Sequence, residues 1–352
     1  MNDPAPPRRP NVLVLGAAGF IGSNVVQALS RSPAWRPVAA PRRMPATPFG
    51  SDVEVRRCDA TSPPQLGQAL HDIDFVVNCV GGTNQALMDA TRALCDVARR
   101  QPPKRIVHLS TMAVYGEASG TVKEDMSAVP PLRPYGEAHH RCEEMIRAYV
   151  RDGGDAVILR PGCIYGPGSR QWTIRLARLL RDGRIGDLGR AGDGICNLVF
   201  IDDMVQVIIS ALDTPGITGQ AFNIADGGEL TWNQFLTKFG QMIGATPIRR
   251  LSPRRIAVES KLVAPALRIF DMAARKMRIS PDRLPEPINP SLAALLRQDI
   301  RLDSSKAMAE LRLHRTPVDE GLRQSALWLE SRIPGRARRH AGQNRAMELG
   351  QR

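Results

Sequence analysis

The chain has 352 residues, 43% of them hydrophobic, which is enough for one large domain or for a main domain with a smaller partner. No apolar stretch is long enough to cross a bilayer, so an integral membrane span is not expected. The start of the chain is polar and proline-rich rather than a secretory leader, and the six cysteines lack the spacing of a zinc site or a redox dithiol. We therefore expect a cytoplasmic protein with reduced thiols and no bound metal.

The formal net charge of +13 raises the question of a nucleic-acid partner. Part of this charge lies in residues 333–352, which hold five Arg and one Glu. The remainder is spread along the chain, apart from a local concentration at Arg249, Arg250, Arg254 and Arg255, and no nucleic-acid-binding motif surrounds it. This distribution favours a solvated surface that steers anionic ligands, and no nucleic acid is expected as a partner.

The first predicted element is a strand, Asn11–Leu15, that runs directly into a turn with regularly spaced glycines. Gly16 allows a tight turn off the strand, and Gly19 allows the backbone to approach a pyrophosphate. Gly22 lets the following helix pack closely on the sheet, with its free N–H groups and positive dipole end facing the phosphates. A simple strand-to-helix turn is the alternative, but the flanking strand and helix favour a dinucleotide cradle.

Strand-like and helix-like segments alternate through the first half of the chain. The predicted strands are Asn11–Leu15, Pro37–Ala40, Val53–Arg56, Asp74–Val80, Arg105–Ser110 and Ala156–Leu159, with later ones at Leu198–Ile201 and Ala221–Ile224. Such alternation predicts an α/β fold with a doubly wound parallel sheet, and Asp303–Glu330 is predicted as a terminal helical unit. The apolar spacing of Lys261–Met277 is typical of a helix in the core of a small second domain, while cover of a substrate cavity or peripheral membrane contact stays open.

An ordered set of motifs carries a family resemblance: GAAGFIG, STMAVYG, PYGEA, LRPGCIYGPG, LVFIDD and FNIADG. The set resembles the extended short-chain dehydrogenase/reductases, in particular the NAD-dependent epimerase/dehydratase group, over residues 11–330. The resemblance implies a Rossmann-type sheet with a smaller C-terminal α/β substrate domain, and an active site at the carboxyl ends of the strands. The expected organisation is a disordered tail at 1–10, an NAD(P)-binding domain at 11–170, a substrate-binding region at 171–332 with strands returning to the main domain, and a basic disordered tail at 333–352.

By motif position, the resemblance assigns the catalytic roles to Tyr135, which exchanges a proton with a substrate oxygen, and to Thr111, which holds the same oxygen. The family's lysine, one helical turn after the tyrosine, is replaced by His139. Histidine is mostly neutral at pH 7 unless its site raises its pKa. Three readings stay open: a slower or pH-dependent enzyme, an enzyme that uses another cation, and a cofactor-binding protein without catalysis. For an active enzyme, oxidation is expected in a pH window where Tyr135 has begun to ionise and His139 still holds its proton.

The resemblance also implies the cofactor contacts, which are Gly16, Gly19, Phe20, Ile21, Gly22, Arg42, Arg43, Asp59, Ala60, Val80, Gly81, Tyr135, His139 and Pro161. The second strand ends without the acidic residue that binds the adenosine ribose directly. Arg42 and Arg43 follow it instead, and two arginines suit a 2′-phosphate. NADP is therefore favoured over NAD, with an exposed basic loop as the alternative.

The expected substrate is a small molecule. Relatives that act on nucleotide sugars often have Asn at the position of Cys163 and Arg near that of Cys196, and Met112 and Ala113 replace the Asp-Glu pair of the sugar 4,6-dehydratases. Dehydration is therefore not expected. The predicted activity is that of an NAD(P)-dependent oxidoreductase or epimerase on an alcohol or keto group of a sugar, in the first place a nucleotide sugar. The alternatives are a hydroxysteroid-dehydrogenase-like enzyme for a lipophilic alcohol and a non-catalytic cofactor-binding protein. The sequence leaves open whether the protein forms a homodimer.

Overall fold

The fold is seen in a computed structural model, which describes residues 8–228, 230–259, 263, 288, 290–296 and 298–332. Its strands are β1 (Asn11–Leu15), β2 (Arg36–Ala40), β3 (Glu54–Val55), β4 (Phe75–Asn78), β5 (Arg105–Leu109), β6 (Gly120–Val122), β7 (Ala156–Pro161), β8 (Cys163–Tyr165), β9 (Leu198–Phe200), β10 (Ala221–Ile224) and β11 (Ile300–Leu302). Seven of them form one parallel sheet in the order β10-β7-β5-β4-β1-β2-β3. The predicted doubly wound parallel sheet is confirmed.

Several of the helices connect successive strands of this sheet. They are α1 (Phe20–Arg31), α2 (Pro63–Ala69), α3 (Asn84–Ala98), α4 (Pro134–Arg151), α5 (Arg175–Arg181), α6 (Ile201–Asp213), α7 (Trp232–Met242), α8 (Pro253–Val258), α9 (Pro290–Leu295), α10 (Ser305–Glu310) and α11 (Val318–Ser331). Helices α1 and α6 pack together, as do α2, α3 and α4. Every residue of β1 is buried, because a central parallel strand is covered on both faces.

Two compact units make up the chain as far as it is described. The first comprises Met1–Ile164, Asn197–Gly228 and Ile300–Arg315. The segment 197–228 belongs to this unit because β10 pairs with β7, with Ala221 opposite Ile158. Strand β10 thus returns to the main sheet from the region that follows residue 170.

The second unit comprises Tyr165–Cys196, Glu229–Asp299 and Thr316–Arg352. Aromatic side chains form part of its interior: the Trp172 and Trp232 ring centroids lie 5.7 Å apart, and Phe235 stacks on Phe239 at 6.0 Å. Helix α7 begins with a capping box, in which Thr231 and Gln234 satisfy each other's backbone N–H groups.

The predicted strands are all present, with ends that shift by up to two residues, and Asp303–Glu330 contains α10 and α11. Strands β6, β8 and β11 were not predicted. Each is only three residues long, and β6 pairs with β11 across a long stretch of sequence, with Ile300 opposite Gly120. The predicted helix at Lys261–Met277 lies outside the described residues except at position 263, and so does the basic tail at 333–352.

Candidate active site

The glycine-rich turn between β1 and α1 has no room for side chains. Gly16 has φ +74°, and a Cβ there would lie 2.5 Å from the carbonyl oxygen of Cys79, directly after β4. A Cβ at Gly22 would lie 2.4 Å from the Gly16 carbonyl oxygen. Helix α1 starts after Gly19 without a side-chain cap, so its first N–H groups are available to an anionic ligand. This turn fits the pyrophosphate of a dinucleotide.

The end of β2 carries positive charge, as the sequence predicts. Arg42 and Arg43 are both exposed after Ala40. Asp59 accepts hydrogen bonds from the Thr61 hydroxyl at 2.8 Å and the Thr61 amide at 3.1 Å. These two bonds lower the pKa of Asp59, burial opposes them, and the charge of Arg42 adds to the lowering. Arg42 and Asp59 therefore lie near each other.

Three polar side chains share one face of helix α4. Tyr135, His139 and Glu143 are spaced four residues apart, about one helical turn each. The Tyr135 and His139 rings meet edge to face, with their centroids 4.6 Å apart. The predicted catalytic tyrosine and the histidine that replaces the lysine are thus in direct contact.

Tyr135 stays protonated at neutral pH. The residue exposes 54% of its surface, yet the protein around its hydroxyl raises the pKa of the phenol. Hydrogen bonding with the Thr111 side chain opposes that rise, and Cys163 adds to it. The structure therefore brings together the two predicted catalytic residues, Tyr135 and Thr111.

His139 is neutral at pH 7. The residue exposes only 6% of its surface, and burial lowers the pKa of its imidazole to about 4, although the Glu143 carboxylate acts in the opposite direction. Its proton is thus lost far below the pH at which Tyr135 ionises. The pH window predicted from the sequence, with Tyr135 ionised and His139 charged, does not exist in this structure. The Nδ1 atom of His139 is buried without a hydrogen-bond partner, which suits a hydroxyl group of a bound cofactor.

A buried ion pair beneath these residues was not predicted. Glu143 accepts from Ser110 Oγ at 2.6 Å, and from Arg160 Nε and Nη2 at 2.9 and 2.7 Å. Arg160 Nη1 also donates to the Tyr115 hydroxyl at 2.9 Å, which in turn donates to Asn223 at 2.6 Å. Burial acts to raise the pKa of Glu143, but the hydrogen bonds and charge of Arg160 hold it below its usual range.

This ion pair joins the elements that carry the site. Ser110 precedes Thr111 after β5, Glu143 lies on the helix of Tyr135, and Arg160 precedes Pro161 in β7. In the sequence, both partners of this ion pair are visible: the Arg of LRPGCIYGPG and an acidic residue four positions after His139. Their pairing was not predicted, because no sequence pattern links two residues from separate elements.

A second imidazole lies next to His139. His108 of β5 is fully buried, and its Nδ1 accepts from Asn78 Nδ2 at 3.1 Å, since the Asn78 oxygen accepts from the Val80 amide. Burial lowers the pKa of His108 to about 4, and its interaction with His139 lowers it further while Glu143 opposes. Both imidazoles are therefore uncharged at neutral pH.

The two cysteines at the family's substrate positions are buried. Burial raises the pKa of Cys163, and Asp226 adds to that effect, so the thiol stays protonated. Cys196 is also fully buried, and its amide donates to the Leu230 carbonyl at 2.8 Å. Neither position supplies the amide or guanidinium group seen in the nucleotide-sugar pattern.

A profile of the NAD dependent epimerase/dehydratase family matches residues 12–225. The chain belongs to this family. It is 27% identical to the UDP-glucose 4-epimerase of Vibrio cholerae over 244 residues, 63% of this chain and 72% of that protein. It is 28% identical to sterol demethylase protein B of Methylococcus capsulatus over 340 residues, 91% of this chain and 98% of that protein.

Among solved structures, the fold is similar to that of UDP-glucuronic acid 4-epimerase from Bacillus cereus in complex with UDP-glucuronic acid and NAD. The TM-score is 0.70 at 23% identity, over 92% of this chain and all of the other. The protein is thus an enzyme of an NAD-dependent epimerase/dehydratase family with the fold its motifs predicted. Within the described parts of the chain, no helix is both long and apolar enough to span a bilayer, and no cluster of side chains is arranged to bind a metal.

Proposed function

We propose that this protein is an NAD(P)-dependent oxidoreductase or epimerase that interconverts a secondary alcohol and a ketone of a sugar, in the first place a nucleotide sugar. The observation that supports the proposal is the effect of the Thr111 side chain on the pKa of the Tyr135 phenol, on the same compact unit as the glycine-rich turn. A bound nicotinamide supplies or accepts the hydride. The residues of the chain bind it, orient the substrate and move the proton.

Each side chain has a role suited to its chemistry. The Tyr135 hydroxyl exchanges a proton with the substrate oxygen, and the Thr111 hydroxyl hydrogen-bonds the same oxygen. The unpartnered Nδ1 of His139 binds a ribose hydroxyl of the cofactor. Pro161, directly after Arg160 in β7, borders the nicotinamide. The N–H groups that begin α1 bind the pyrophosphate.

The adenosine end of the site favours NADP. Arg42 and Arg43 are exposed two and three residues after the end of β2. Arg57, two residues after the end of β3, donates from Nε to the Arg42 carbonyl at 3.3 Å, so a third guanidinium group lies near the other two. No acidic residue ends β2, where it would bind the ribose hydroxyls and repel a 2′-phosphate. Asp59 lies beside Arg42 and is left to contact the adenine.

A second substrate class, a lipophilic alcohol or ketone, is favoured by two observations. The similarity to sterol demethylase protein B extends over nearly the full length of both chains. The loop that leads into α4 also exposes the apolar side chains of Met126 and Val129, whereas Cys163 and Cys196 offer nothing that grips a diphosphate.

A substrate screen separates the two classes. The purified protein is mixed with NAD or NADP and with nucleotide sugars or sterol-like alcohols, and nicotinamide absorbance is recorded. Because an epimerase regenerates its cofactor, each sugar reaction is also analysed by chromatography for a changed epimer. Turnover of one class and not the other decides the substrate, and a folded sample that binds neither NADH nor NADPH contradicts the proposed function.

A further inference from the structure

Two segments of the second compact unit run side by side. The Asp187 amide donates to the Arg249 carbonyl at 3.1 Å, and the Leu251 amide donates to the Asp187 carbonyl at 2.7 Å, which makes a short parallel bridge. Leu251 is buried and ties the second segment to the interior. Residues 183–190 and 249–258 together form one surface, which we call the basic patch.

Arginine side chains of the second segment lie over glycines of the first. A Cβ at Gly183 would lie 3.8 Å from Cδ of Arg249, and a Cβ at Gly189 would lie 3.3 Å from Nη2 of Arg250. Arg255 donates from Nη2 to the Gly183 carbonyl at 3.4 Å. Positions without a side chain in the first segment therefore let three arginines from the second gather in one place.

The basic patch carries a net positive charge. Six arginines belong to it, against one acidic residue within it, Asp187, and two beside it, Asp182 and Glu259. The next part of the sequence, residues 260–287, holds six Lys or Arg and three Asp or Glu, so it adds to this charge instead of balancing it. The exposed arginines of the patch are Arg190, Arg249, Arg250, Arg254 and Arg255.

An apolar side chain adjoins these charges. Val258, the last residue of α8, exposes 49% of its surface. Residues three and four apart share one side of a helix, so Val258 lies beside Arg254 and Arg255. Shortly after α8, the sequence of residues 261–277 interleaves large apolar residues with four basic residues and one acidic residue. Basic residues mixed with exposed apolar ones are typical of segments that lie in the interface of a bilayer.

We propose that the basic patch and Val258 form a docking surface for a bilayer that contains anionic phospholipids. The guanidinium groups bind lipid phosphates, often through two N–H groups at once, while the valine enters the boundary between headgroups and acyl chains. Each basic residue near an anionic membrane strengthens binding by about fivefold, so five exposed arginines give reversible binding that is measurable.

A bilayer suits this surface better than a nucleic acid does. Single-stranded RNA is bound through aromatic rings on which its bases stack, and the exposed residues that the structure describes in the basic patch include no aromatic ring. Docking to a membrane needs neither cofactor nor turnover, so the inference does not depend on the proposed function. It agrees with the second substrate class, because lipophilic alcohols and ketones concentrate in membranes.

Vesicle sedimentation tests the docking surface. The full-length protein is mixed with sucrose-loaded vesicles of phosphatidylcholine alone, or of equal parts phosphatidylcholine and phosphatidylglycerol, and the bound fraction is measured after centrifugation. We expect binding to the anionic vesicles that weakens steeply as NaCl rises toward about 0.5 M. Binding to the neutral vesicles is expected to be at least about a hundredfold weaker.

A quadruple variant tests whether the basic patch is responsible. Binding to the anionic vesicles is expected to weaken by about a hundredfold or more, because four exposed charges are lost. The substitutions are Arg249→Ser, Arg250→Ser, Arg254→Ser and Arg255→Ser. Val258→Ser tests the apolar contact separately, removes no charge, and is expected to weaken binding by about threefold or more. Circular dichroism and thermal unfolding show that each variant is folded.

Two control variants remove the same amount of charge elsewhere. Each is expected to weaken vesicle binding by less than about tenfold, since only the net charge changes. The first alters exposed arginines of the first compact unit: Arg31→Ser, Arg100→Ser, Arg141→Ser and Arg151→Ser. The second alters the basic tail: Arg336→Ser, Arg338→Ser, Arg339→Ser and Arg345→Ser.

Several results overturn the inference. These are a wild-type protein that does not bind the anionic vesicles at low salt, equal losses in all three quadruple variants, and a loss in the tail variant that the patch variant does not show. The same holds if a labelled single-stranded RNA binds through the patch arginines while vesicles do not. A protein that docks on vesicles but binds no cofactor refutes the proposed function and leaves the docking surface intact.

Discussion

Replacing Glu143 with glutamine tests the ion pair that joins the elements of the site. Glu143 exposes 2% of its surface and Arg160 6%, and the carboxylate accepts three hydrogen bonds of 2.6–2.9 Å. Glu143→Gln keeps the size of the side chain but leaves the buried guanidinium without a counter-charge and turns an N–H group toward another donor. Breaking a buried pair in this way destabilises a protein by about 3–5 kcal/mol.

The assay is urea unfolding followed by circular dichroism, with Asp152→Asn as the matched control. Asp152 also pairs with an arginine, Arg99, at 2.8 Å, but that pair is exposed, so its loss is expected to change the free energy of unfolding by less than about 1 kcal/mol. Replacing both buried partners by Leu and Met is expected to be less damaging than Glu143→Gln alone, because no buried charge is left unpaired. A Glu143→Gln protein within about 0.5 kcal/mol of the wild type refutes the reasoning.

The same pair gives stability a predictable dependence on pH. The folded-state pKa of Glu143 lies below its unfolded value of about 4.5, so its contribution is complete above that pH and is lost as the pH falls through the folded pKa. Below about pH 4.5 the wild type and Glu143→Gln are therefore expected to converge in their free energies of unfolding. Parallel acid limbs in the two proteins contradict the assignment.

Three further substitutions test the cofactor and catalytic assignments. Gly16→Ala places a Cβ 2.5 Å from a backbone oxygen and is expected to abolish NADH and NADPH binding in a fluorescence titration. Gly67→Ala is the control and is expected to retain binding, because a Cβ there lies 3.9 Å from its nearest neighbour, a side-chain atom of Val97. Equal binding by both variants contradicts the assignment of the glycine-rich turn as the dinucleotide site. Tyr135→Phe is expected to lose turnover by at least about a hundredfold with cofactor binding intact, and wild-type turnover rules out the tyrosine as proton carrier. The double variant of Arg42 and Arg43 to alanine is expected to weaken NADPH binding by about tenfold or more and NADH binding little; tighter NADH than NADPH binding by the wild type defeats the preference for NADP.

The local features of this site were determined by the sequence itself. The run from Asn11 to Gly22 predicts its own strand, turn and helix, because a buried strand needs consecutive apolar residues and the turn after it needs positions without a Cβ. The face shared by Tyr135 and His139 likewise follows from helical spacing, and Thr111 was identified from its motif after β5. Each of these predictions depends only on residues that are near one another along the chain.

Only the tertiary structure decided the electrostatics of the site. The identity of residue 139 was plain in the sequence, but its neutrality comes from burial, which outweighs the opposing effect of the Glu143 carboxylate, itself bound to Arg160. Glu143 and Arg160 come from α4 and β7, and no local pattern pairs them. The short strand at Gly120–Val122 was hidden for the same reason, because it exists through pairing with residues far along the chain. The protonation state of a buried group depends on every charge and solvent-excluding atom around it, and only the folded chain brings those together.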